Sequence, residues 1–304
     1  MDKYCIALAA IVLGACGAVA QNSQFVNNNA PQGLSDGTPT ELHAAPEGYK
    51  LVWSDEFDTN SLTSKWIPRD WAAGRVNHEL QTYKPGAMPI KAADGSTMHT
   101  AEVKDGILSI NCFKGEDGKI YSARMDSRDS TGTPGDYAAW KYGYIEARIR
   151  LPKGRGTWPA FWMMPVPLEG QRNHWPACGE IDIMEEVGAD PDIIVCSLHA
   201  DGHVHSNNTQ VSGTLYTEGA EGGWVTYAML WDEDNISMYA DGKRVLTYAN
   251  DHGGAYNWPY DRPFFITLNL AWGGDWGGYK GVDESALPAR MDVDYVRVYQ
   301  LEAE

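Results

Sequence analysis

From Tyr49 onward the chain consists of short runs in which apolar and polar residues alternate, separated by glycine, asparagine, aspartate and proline. A period of two residues is typical of β-strands with one buried face, and many such runs at short spacing indicate an antiparallel sandwich or jelly roll. No sustained helical pattern interrupts them. The sequence therefore predicts an all-β fold. The runs are LVWSDEF, ILSINCF, YGYIEARIRL, DIIVCSLHA, WVTYAMLW, NISMYADG and MDVDYVRVYQ.

The segment before these runs resembles an export signal followed by a tether. Residues 1–20 carry an early lysine, an apolar stretch from Cys5 to Leu13 and then small residues, which predicts a signal peptide. It ends either at a lipobox, which would leave a lipidated Cys16, or at a cleavage site before Gln21. Residues 21–44 are rich in Asn, Gly, Pro, Ser and Thr and are predicted to be a flexible linker. Residues 45–304 then form a single domain.

Charge and hydropathy limit where this protein acts and what it binds. No later stretch approaches the roughly 20 apolar residues of a transmembrane helix. We therefore expect an exported bacterial protein that is periplasmic, lipid-anchored at the cell surface, or secreted. A formal net charge of −17 repels phosphate backbones, which argues against a nucleic-acid partner and favours a neutral substrate.

The cysteines indicate no disulfide framework. Beyond the signal segment the chain has Cys112, Cys178 and Cys196, which is an odd number. If the strands around Cys178 and Cys196 form a hairpin, the two thiols lie several residues apart in register, too far to be bridged. We therefore expect free thiols.

The stretch GEIDIMEEVG, residues 179–188, places four acidic side chains in an apolar run. In an unbroken strand, Glu180, Asp182 and Glu186 share one face and Glu185 points to the other. A one-residue β-bulge after Asp182 would change the alternation and bring Glu180, Asp182 and Glu185 together. The spacing alone leaves both registers open. It also allows a purely structural role, in which the acids are solvated charges on an edge strand.

The bulged register is the one with a chemical use. Two carboxyl groups about 5 to 5.5 Å apart serve a retaining glycosidase, one as the nucleophile and one as the acid/base. Three clustered carboxyl groups cannot all ionise freely, so one of them keeps a proton for the leaving group. Aromatic side chains fit the apolar faces of sugar rings and crowd the same part of the sequence. They are Trp158, Phe161, Trp162, Trp175, Trp272 and Trp276.

Five segments together resemble glycoside hydrolase family 16, most closely its laminarinase-like branch. They are WPAFWMMP (158–165), WPACGEIDIMEEVG (175–188), SLHA (197–200), LNLAWGGDWGG (268–278) and MDVDYVRVYQ (291–300). The resemblance runs from about Tyr49 to Gln300. It implies a jelly-roll β-sandwich of two curved antiparallel sheets with an open concave cleft. It also implies endo-acting hydrolysis of a β-linked polysaccharide with retention of configuration.

The resemblance assigns roles by motif position. Glu180 would be the nucleophile, Asp182 its assistant and Glu185 the acid/base, with Met184 as the inserted residue of a bulged strand. His199 would lie beside the acid/base. The remaining residues expected to bind substrate are Asn77 and Glu79 near the glycone side, and Trp158, Trp162, Trp175, Trp272 and Trp276. Asp294 would be a ligand of a structural calcium ion.

The substrate expected first is a laminarin-like β-1,3-glucan, cleaved without a cofactor by a monomer. Trp272, Val76 and His78 depart from the laminarinase pattern, which keeps open an endo-β-1,4-galactosidase acting on poly-N-acetyllactosamine, mucin-type O-glycans or another galactan. A transglycosylase would share the covalent intermediate. A non-catalytic lectin on the same sandwich is the alternative from another class, although a pure binder has no reason to keep the full carboxylate set.

Overall fold

The computed structural model describes residues 38–128, 137–204, 207 and 209–302; the predicted signal peptide, Cys16 and most of the predicted linker lie outside them. In the described residues there are twenty strands and one short α-helix, α1 (Gly274–Gly277), with a 3-10 turn at Glu284–Ala286. No described helix is long and apolar enough to cross a membrane. The strands are β1 (Tyr49–Asp55), β2 (Trp66–Pro68), β3 (Gln81–Tyr83), β4 (Ile90–Lys91), β5 (Thr97–Met98), β6 (Ala101–Lys104), β7 (Ile107–Lys114), β8 (Ile120–Ser122), β9 (Arg124–Ser127), β10 (Ala139–Trp140), β11 (Gly143–Arg150), β12 (Thr157–Pro165), β13 (Glu180–Glu185), β14 (Ile193–His199), β15 (Val211–Tyr216), β16 (Trp224–Trp231), β17 (Asn235–Ala240), β18 (Lys243–Ala249), β19 (Phe264–Trp272) and β20 (Ala289–Leu301).

The strands form two large sheets that face each other. The ten-stranded sheet has the order β18-β17-β16-β11-β20-β7-β8-β3, with β1 also paired to β20 and β6 to β7. The eight-stranded sheet has the order β15-β14-β13-β12-β19-β9-β2, with β10 paired to β19. All pairings are antiparallel except that of β3 with β8. The predicted all-β sandwich is confirmed.

Alternation along the strands builds one apolar core between the sheets. Ile145, Ala147 and Ile149 of β11 pack there with Phe161 and Met163 of β12 and with many other fully buried side chains. Burying such a side chain contributes roughly 1.5–3 kcal/mol, so the inner faces of both sheets are fixed in register. The core therefore dictates which side chains of the eight-stranded sheet point outward.

The Asp241-Gly242 dipeptide forms the tight turn between β17 and β18. Both residues have positive φ, 49° and 75°, as a two-residue type I′ hairpin requires. Asp tolerates this conformation and glycine adopts it without strain. Cys112, Cys178 and Cys196 are free and buried, as expected from their number and spacing.

The predicted linker ends earlier than residue 44. The amide of Leu42 donates to the carbonyl of Gly242 at 2.8 Å. Leu42 and Ala45 pack on Tyr144 and Tyr239, which point away from the core of the ten-stranded sheet. Hydrogen bonds to the carbonyl groups of Thr38 and Pro39, together with these apolar contacts, hold the chain from residue 38 onward. The apolar contacts also explain why Tyr144, on the outward face of its strand, is fully buried.

Candidate active site

Strand β13 contains the β-bulge on which the catalytic arrangement depends. Against β14, Asp182 pairs with Ser197 while Glu185 pairs with Val195, so three steps on β13 match two on β14. The same shift appears against β12. One residue is therefore extra in β13, and its alternation reverses between Asp182 and Glu185. Glu180, Asp182 and Glu185 consequently lie on the outer face of the eight-stranded sheet.

The apolar residues of the motif explain why the strand accepts the bulge. Ile183 and Met184 are both fully buried in the main core, as is Ile181. Two consecutive side chains can enter the core only if the backbone departs from regular pleating. Val187, beyond the end of the strand, packs in a small separate cluster with Val195 and Trp276.

Each of the three carboxyl groups has a specific partner. The indole Nε1 of Trp175 donates to Glu180 Oε2 at 2.5 Å. The indole Nε1 of Trp158 donates to Glu185 Oε1 at 2.9 Å. Asp182, only 2% exposed, lies with Oδ2 at 3.1 Å from His199 Nε2. These contacts fix the directions of the carboxyl groups, which a reaction at one glycosidic bond requires.

Burial raises the pKa values of all three groups, and repulsion from Asp182 adds to the rise for both glutamates. Burial, and then the charge of Asp182, raise the pKa of Glu180 to about 7. The same two causes raise the pKa of Glu185 well above its ordinary range. Burial also raises the pKa of Asp182. Carboxyl groups this close cannot all ionise together, so the cluster can supply one carboxylate to attack and one acid to donate a proton.

A buried arginine holds the loop that carries Trp175. Arg262 donates from Nη1 to the carbonyl of Arg172 at 2.9 Å and from Nη2 to the carbonyl of Val166 at 2.5 Å. Its Nη2 also donates to Asn173 Oδ1 at 3.0 Å. The segment immediately before Trp175 is thus tied to the residues that lead into β19. This positions the indole N–H against Glu180.

Several predicted substrate-binding residues lie beside the carboxyl groups. Trp158, Trp162 and Trp175 are half-buried around the outer face of β12 and β13. Trp162 pairs directly with Asp182 in the sheet and donates from Nε1 to Asn269 at 2.7 Å. Since directly paired residues share a face, Trp162 lies on the floor of the same surface.

The Asn77 and Glu79 segment borders this surface. Asn77 is exposed and donates to Glu79 Oε1 at 3.3 Å. Glu79 is buried and also accepts from Gln81 at 2.6 Å. Burial raises the pKa of Glu79, and the nearby Arg124 opposes that rise. Both residues stay candidates for contacts with sugar hydroxyls.

Three predicted placements need correction. Trp272 is 1% exposed and belongs to the main core, because strict alternation along β19 sends it inward with Leu268 and Leu270. Trp276 is also buried and supports Trp158 edge-on, with ring centres 5.5 Å apart. His199 contacts Asp182 and pairs across the sheet with Glu180, so it lies beside these two residues rather than beside Glu185.

The surroundings of Asp294 do not fit the predicted calcium site. Its Oδ2 forms an ion pair with Arg148 Nη1 at 2.7 Å. A calcium ion at this carboxylate would lie next to a guanidinium and face its repulsion. Within the described ranges no group of three or more His, Cys, Asp or Glu side chains could hold a metal. The contacts of Asp294 therefore indicate a structural ion pair.

Sequence reasoning missed part of the cleft floor. Arg124 of β9 stacks between two indoles, 4.4 Å from the ring centre of Trp71 and 4.5 Å from that of Trp162. Asn269 accepts from Trp162 and donates to Tyr83 at 3.2 Å. Alternation along β19 directs Asn269 away from the core that Leu268 and Leu270 enter. A polar residue between these two leucines was therefore the sequence signal that Asn269 lies on the cleft floor.

The neighbouring Glu186 points the other way and is 0% exposed. Burial, and then the charge of Glu221, raise its pKa well above the ordinary range. Burial also raises the pKa of Glu221. Because the buried Glu186 carboxyl interacts with a neighbouring carboxyl group, its charged form is disfavoured and it keeps its proton to higher pH. The Glu186 and Glu221 pair lies behind the face that carries Glu180, Asp182 and Glu185, and it does not belong to that carboxyl cluster.

We expect Glu186→Gln to change how stability depends on pH. The folded-state pKa is raised, so the native contribution of Glu186 is complete below its unfolded pKa and is lost as pH rises toward the folded value. The variant should match the wild type near pH 4 and be more stable at pH 8, by about 1.4 kcal/mol for each unit of pKa shift removed. Urea unfolding at both pH values measures this. The exposed Glu218→Gln is the control and should show no such difference.

We expect Trp175→Phe to shift the acidic limb of the pH–rate profile. The indole N–H stabilises the Glu180 carboxylate and lowers its pKa. Without it that pKa rises, so the acidic limb of kcat/KM should move upward by about one to two pH units, in line with a charge-assisted hydrogen bond of about 1.5–3 kcal/mol. Trp162→Phe is the control, because its indole donates to an amide rather than to a carboxylate. An unchanged limb in Trp175→Phe would contradict the assignment.

An outer sheet face with three directed carboxyl groups and surrounding indoles defines a carbohydrate-cleaving β-sandwich, a glycoside hydrolase. Residues 107–297 match the family model of glycosyl hydrolases family 16. The chain belongs to this family, whose hydrolases act through carboxyl groups without a cofactor.

Relatives and solved structures agree on the family. A beta-glucanase from Rhodothermus marinus is 37% identical over 261 residues, which cover 83% of this chain and 85% of that protein. A keratan-sulfate endo-1,4-beta-galactosidase from Sphingobacterium multivorum is 31% identical over 301 residues, 93% of this chain and 64% of that protein. The structure of the laminarinase from Rhodothermus marinus superposes with a TM-score of 0.74 at 36% identity, and the match covers 84% of this chain and 98% of that one.

Proposed function

We propose that this enzyme hydrolyses internal bonds of a laminarin-like β-1,3-glucan with retention of configuration. The bulge in β13 carries the proposal, because it gathers Glu180, Asp182 and Glu185 on one outer face. The relatives named beta-glucanase and laminarinase support the choice of glucan. The burial of Trp272 removes the indole that favoured a galactose-containing substrate, since it cannot stack on a sugar in the cleft.

The proposed mechanism is a double displacement. Glu185 donates its proton to the glycosidic oxygen while ionised Glu180 attacks the anomeric carbon, which breaks the glycosidic bond and forms a covalent glycosyl-enzyme. Glu185, now ionised, removes a proton from water as the water attacks the same carbon. The glycosyl–Glu180 bond breaks and the product leaves with its original configuration.

Asp182 and the two indoles have supporting roles in this proposal. Asp182 raises the pKa of both flanking glutamates through its charge, which helps Glu185 to keep its proton. Trp175 and Trp158 stabilise the carboxylate forms and hold the oxygens in place. A lectin on this sandwich would need none of this directed acid chemistry.

Product analysis tests the substrate. The enzyme is incubated with laminarin, mixed-linkage glucan, keratan sulfate and agarose, and the released reducing ends are separated by size. We expect internal cleavage of laminarin and the appearance of short β-1,3-oligosaccharides. Cleavage of galactose-containing polymers alone would contradict the glucan proposal. Longer oligosaccharides than those supplied would reveal glycosyl transfer to a sugar acceptor.

We also propose that the enzyme is exported and acts as a monomer. The apolar stretch from Cys5 to Leu13 and the small residues after it support export. Cell fractionation with a tagged protein, together with labelling by radioactive palmitate, distinguishes a lipidated Cys16 from cleavage before Gln21. Recovery of the uncleaved chain in the cytoplasm would overturn the export proposal.

A further inference from the structure

The far end of the cleft floor carries an alternating stack of arginine and tryptophan. The guanidinium of Arg75 lies 4.7 Å from the ring centre of Trp71, and Arg124 lies between Trp71 and Trp162. Arg75 is exposed, whereas Arg124 is buried. The stack therefore presents one accessible guanidinium at its outer end. Stacking on an indole restrains that guanidinium and orders its fork of N–H donors.

Sheet register gives the position of the stack relative to the reacting bond. Glu185 pairs with Ala160, Ala160 with Asn269, and Asn269 with Arg124. These residues form one straight row on the outer face. Three interstrand spacings of ~4.8 Å place Arg124 about 14 Å from Glu185, roughly three sugar rings along the cleft. The stack thus lies where a sugar remote from the scissile bond would rest.

Among the described residues, the other cations near the stack are neutralised by nearby carboxylates, whereas Arg75 is not. Arg69 forms an ion pair with Asp126, and Arg124 lies 3.6 Å from the same carboxylate. Lys84 pairs with Asp70 at 2.8 Å. Within the described part of the chain, Arg75 makes no ion pair with an acidic side chain. In a protein of net charge −17, an uncompensated and ordered guanidinium on the cleft floor is suited to bind an anion.

We propose that Arg75, held on Trp71, forms a distal glycone subsite that accepts a sugar carrying an anionic group such as a sulfate ester. The polysaccharide backbone near the carboxyl groups stays neutral, and the charge is a substituent on a sugar remote from the cleaved bond. Trp71 holds the Arg75 guanidinium in place, and the Arg75 fork donates to the anionic oxygens of that sugar. This inference rests on the proposed endo-hydrolysis across the same cleft.

Cleavage position tests the subsite directly. Laminarihexaose is prepared with one sulfate ester on its non-reducing terminal glucose and compared with the unmodified sugar. If Arg75 binds the sulfate, the wild type should cleave the sulfated hexaose mainly at one bond, unlike the unmodified sugar, because the charged sugar fixes the register. Arg75→Gln should lose this preference and give the product pattern of the unmodified sugar. An identical pattern for both sugars in the wild type would overturn the inference.

Binding to an inactive variant separates this inference from the proposed function. In Glu180→Gln, calorimetry should give about threefold tighter binding of the sulfated hexaose than of its parent at low salt, and salt should weaken the difference. Adding Arg75→Gln should abolish the affinity ratio. Adding Lys50→Gln, which removes a charge from exposed β1 of the other sheet, should leave the affinity ratio unchanged. A ratio that survives Arg75→Gln contradicts the subsite. Failure to cut laminarin contradicts only the proposed glucanase.

Discussion

Replacing Glu180 by glutamine is expected to lower kcat on laminarin by at least about 10⁴-fold, or about 5.5 kcal/mol of transition-state stabilisation. The amide keeps the size of the side chain but cannot form the covalent glycosyl-enzyme. The fold should persist, because the substitution removes a negative charge that raises the pKa of Glu185 and lies beside Asp182. Reducing-end release measures the loss of activity, and calorimetry with laminarihexaose measures retained binding.

Glu79→Gln is a matched control for this prediction. Glu79 is also a buried glutamate of the cleft border, but it is not on β13 and cannot reach the position of a nucleophile. We expect it to lose far less activity than Glu180→Gln. If the two variants were equally impaired, or if Glu180→Gln kept more than about a hundredth of wild-type turnover, another group would have to be the nucleophile.

Replacing Glu185 by alanine is expected to lower the rate on laminarin by about 10²–10⁴-fold, the usual contribution of a general acid. The loss should depend on the leaving group. An aryl β-glycoside with a dinitrophenolate leaving group needs no proton, so formation of its glycosyl-enzyme should be nearly unaffected. Stopped-flow measurement should then show a burst of phenolate followed by slow turnover, because no base remains to activate water.

Azide distinguishes the two glutamates by the configuration of the product. In Glu185→Ala, azide attacks the glycosyl-enzyme and should give a β-glycosyl azide. In Glu180→Ala no covalent intermediate forms, and azide entering the vacated space should give the α-glycosyl azide. Proton NMR of the products reads the configuration. The reverse pairing of variant and product would show that the two roles are exchanged.

The sequence was sufficient to predict the sandwich and the catalytic candidates, for different reasons. Alternation of period two follows directly from burial of one strand face, as β11 shows with its three core residues. The bulge in β13 was not decided by spacing, because an unbroken strand and a bulged one place different acids together. The burial of both Ile183 and Met184 is what distinguishes them, and this depends on packing across the whole core.

The errors came from residues whose direction depends on neighbours distant in sequence. Trp272 could have been placed by counting from Leu268 and Leu270, since all three share a face, but a motif-based expectation took precedence. Arg124 could not have been placed in this way. Its position depends on Trp71, which lies 53 positions earlier in the numbering, and only the folded sheet brings the two side chains together.

The attachment of Leu42 and Ala45 to the ten-stranded sheet determines how the molecule can be held. The chain enters on one broad side of the sandwich, and the carboxyl groups lie on the opposite broad side. A bead, a surface or a fused partner joined ahead of residue 38 would therefore be attached on the side opposite the carboxyl groups. A long polysaccharide could still bind across the outer face of the eight-stranded sheet, because the support would not cover that face.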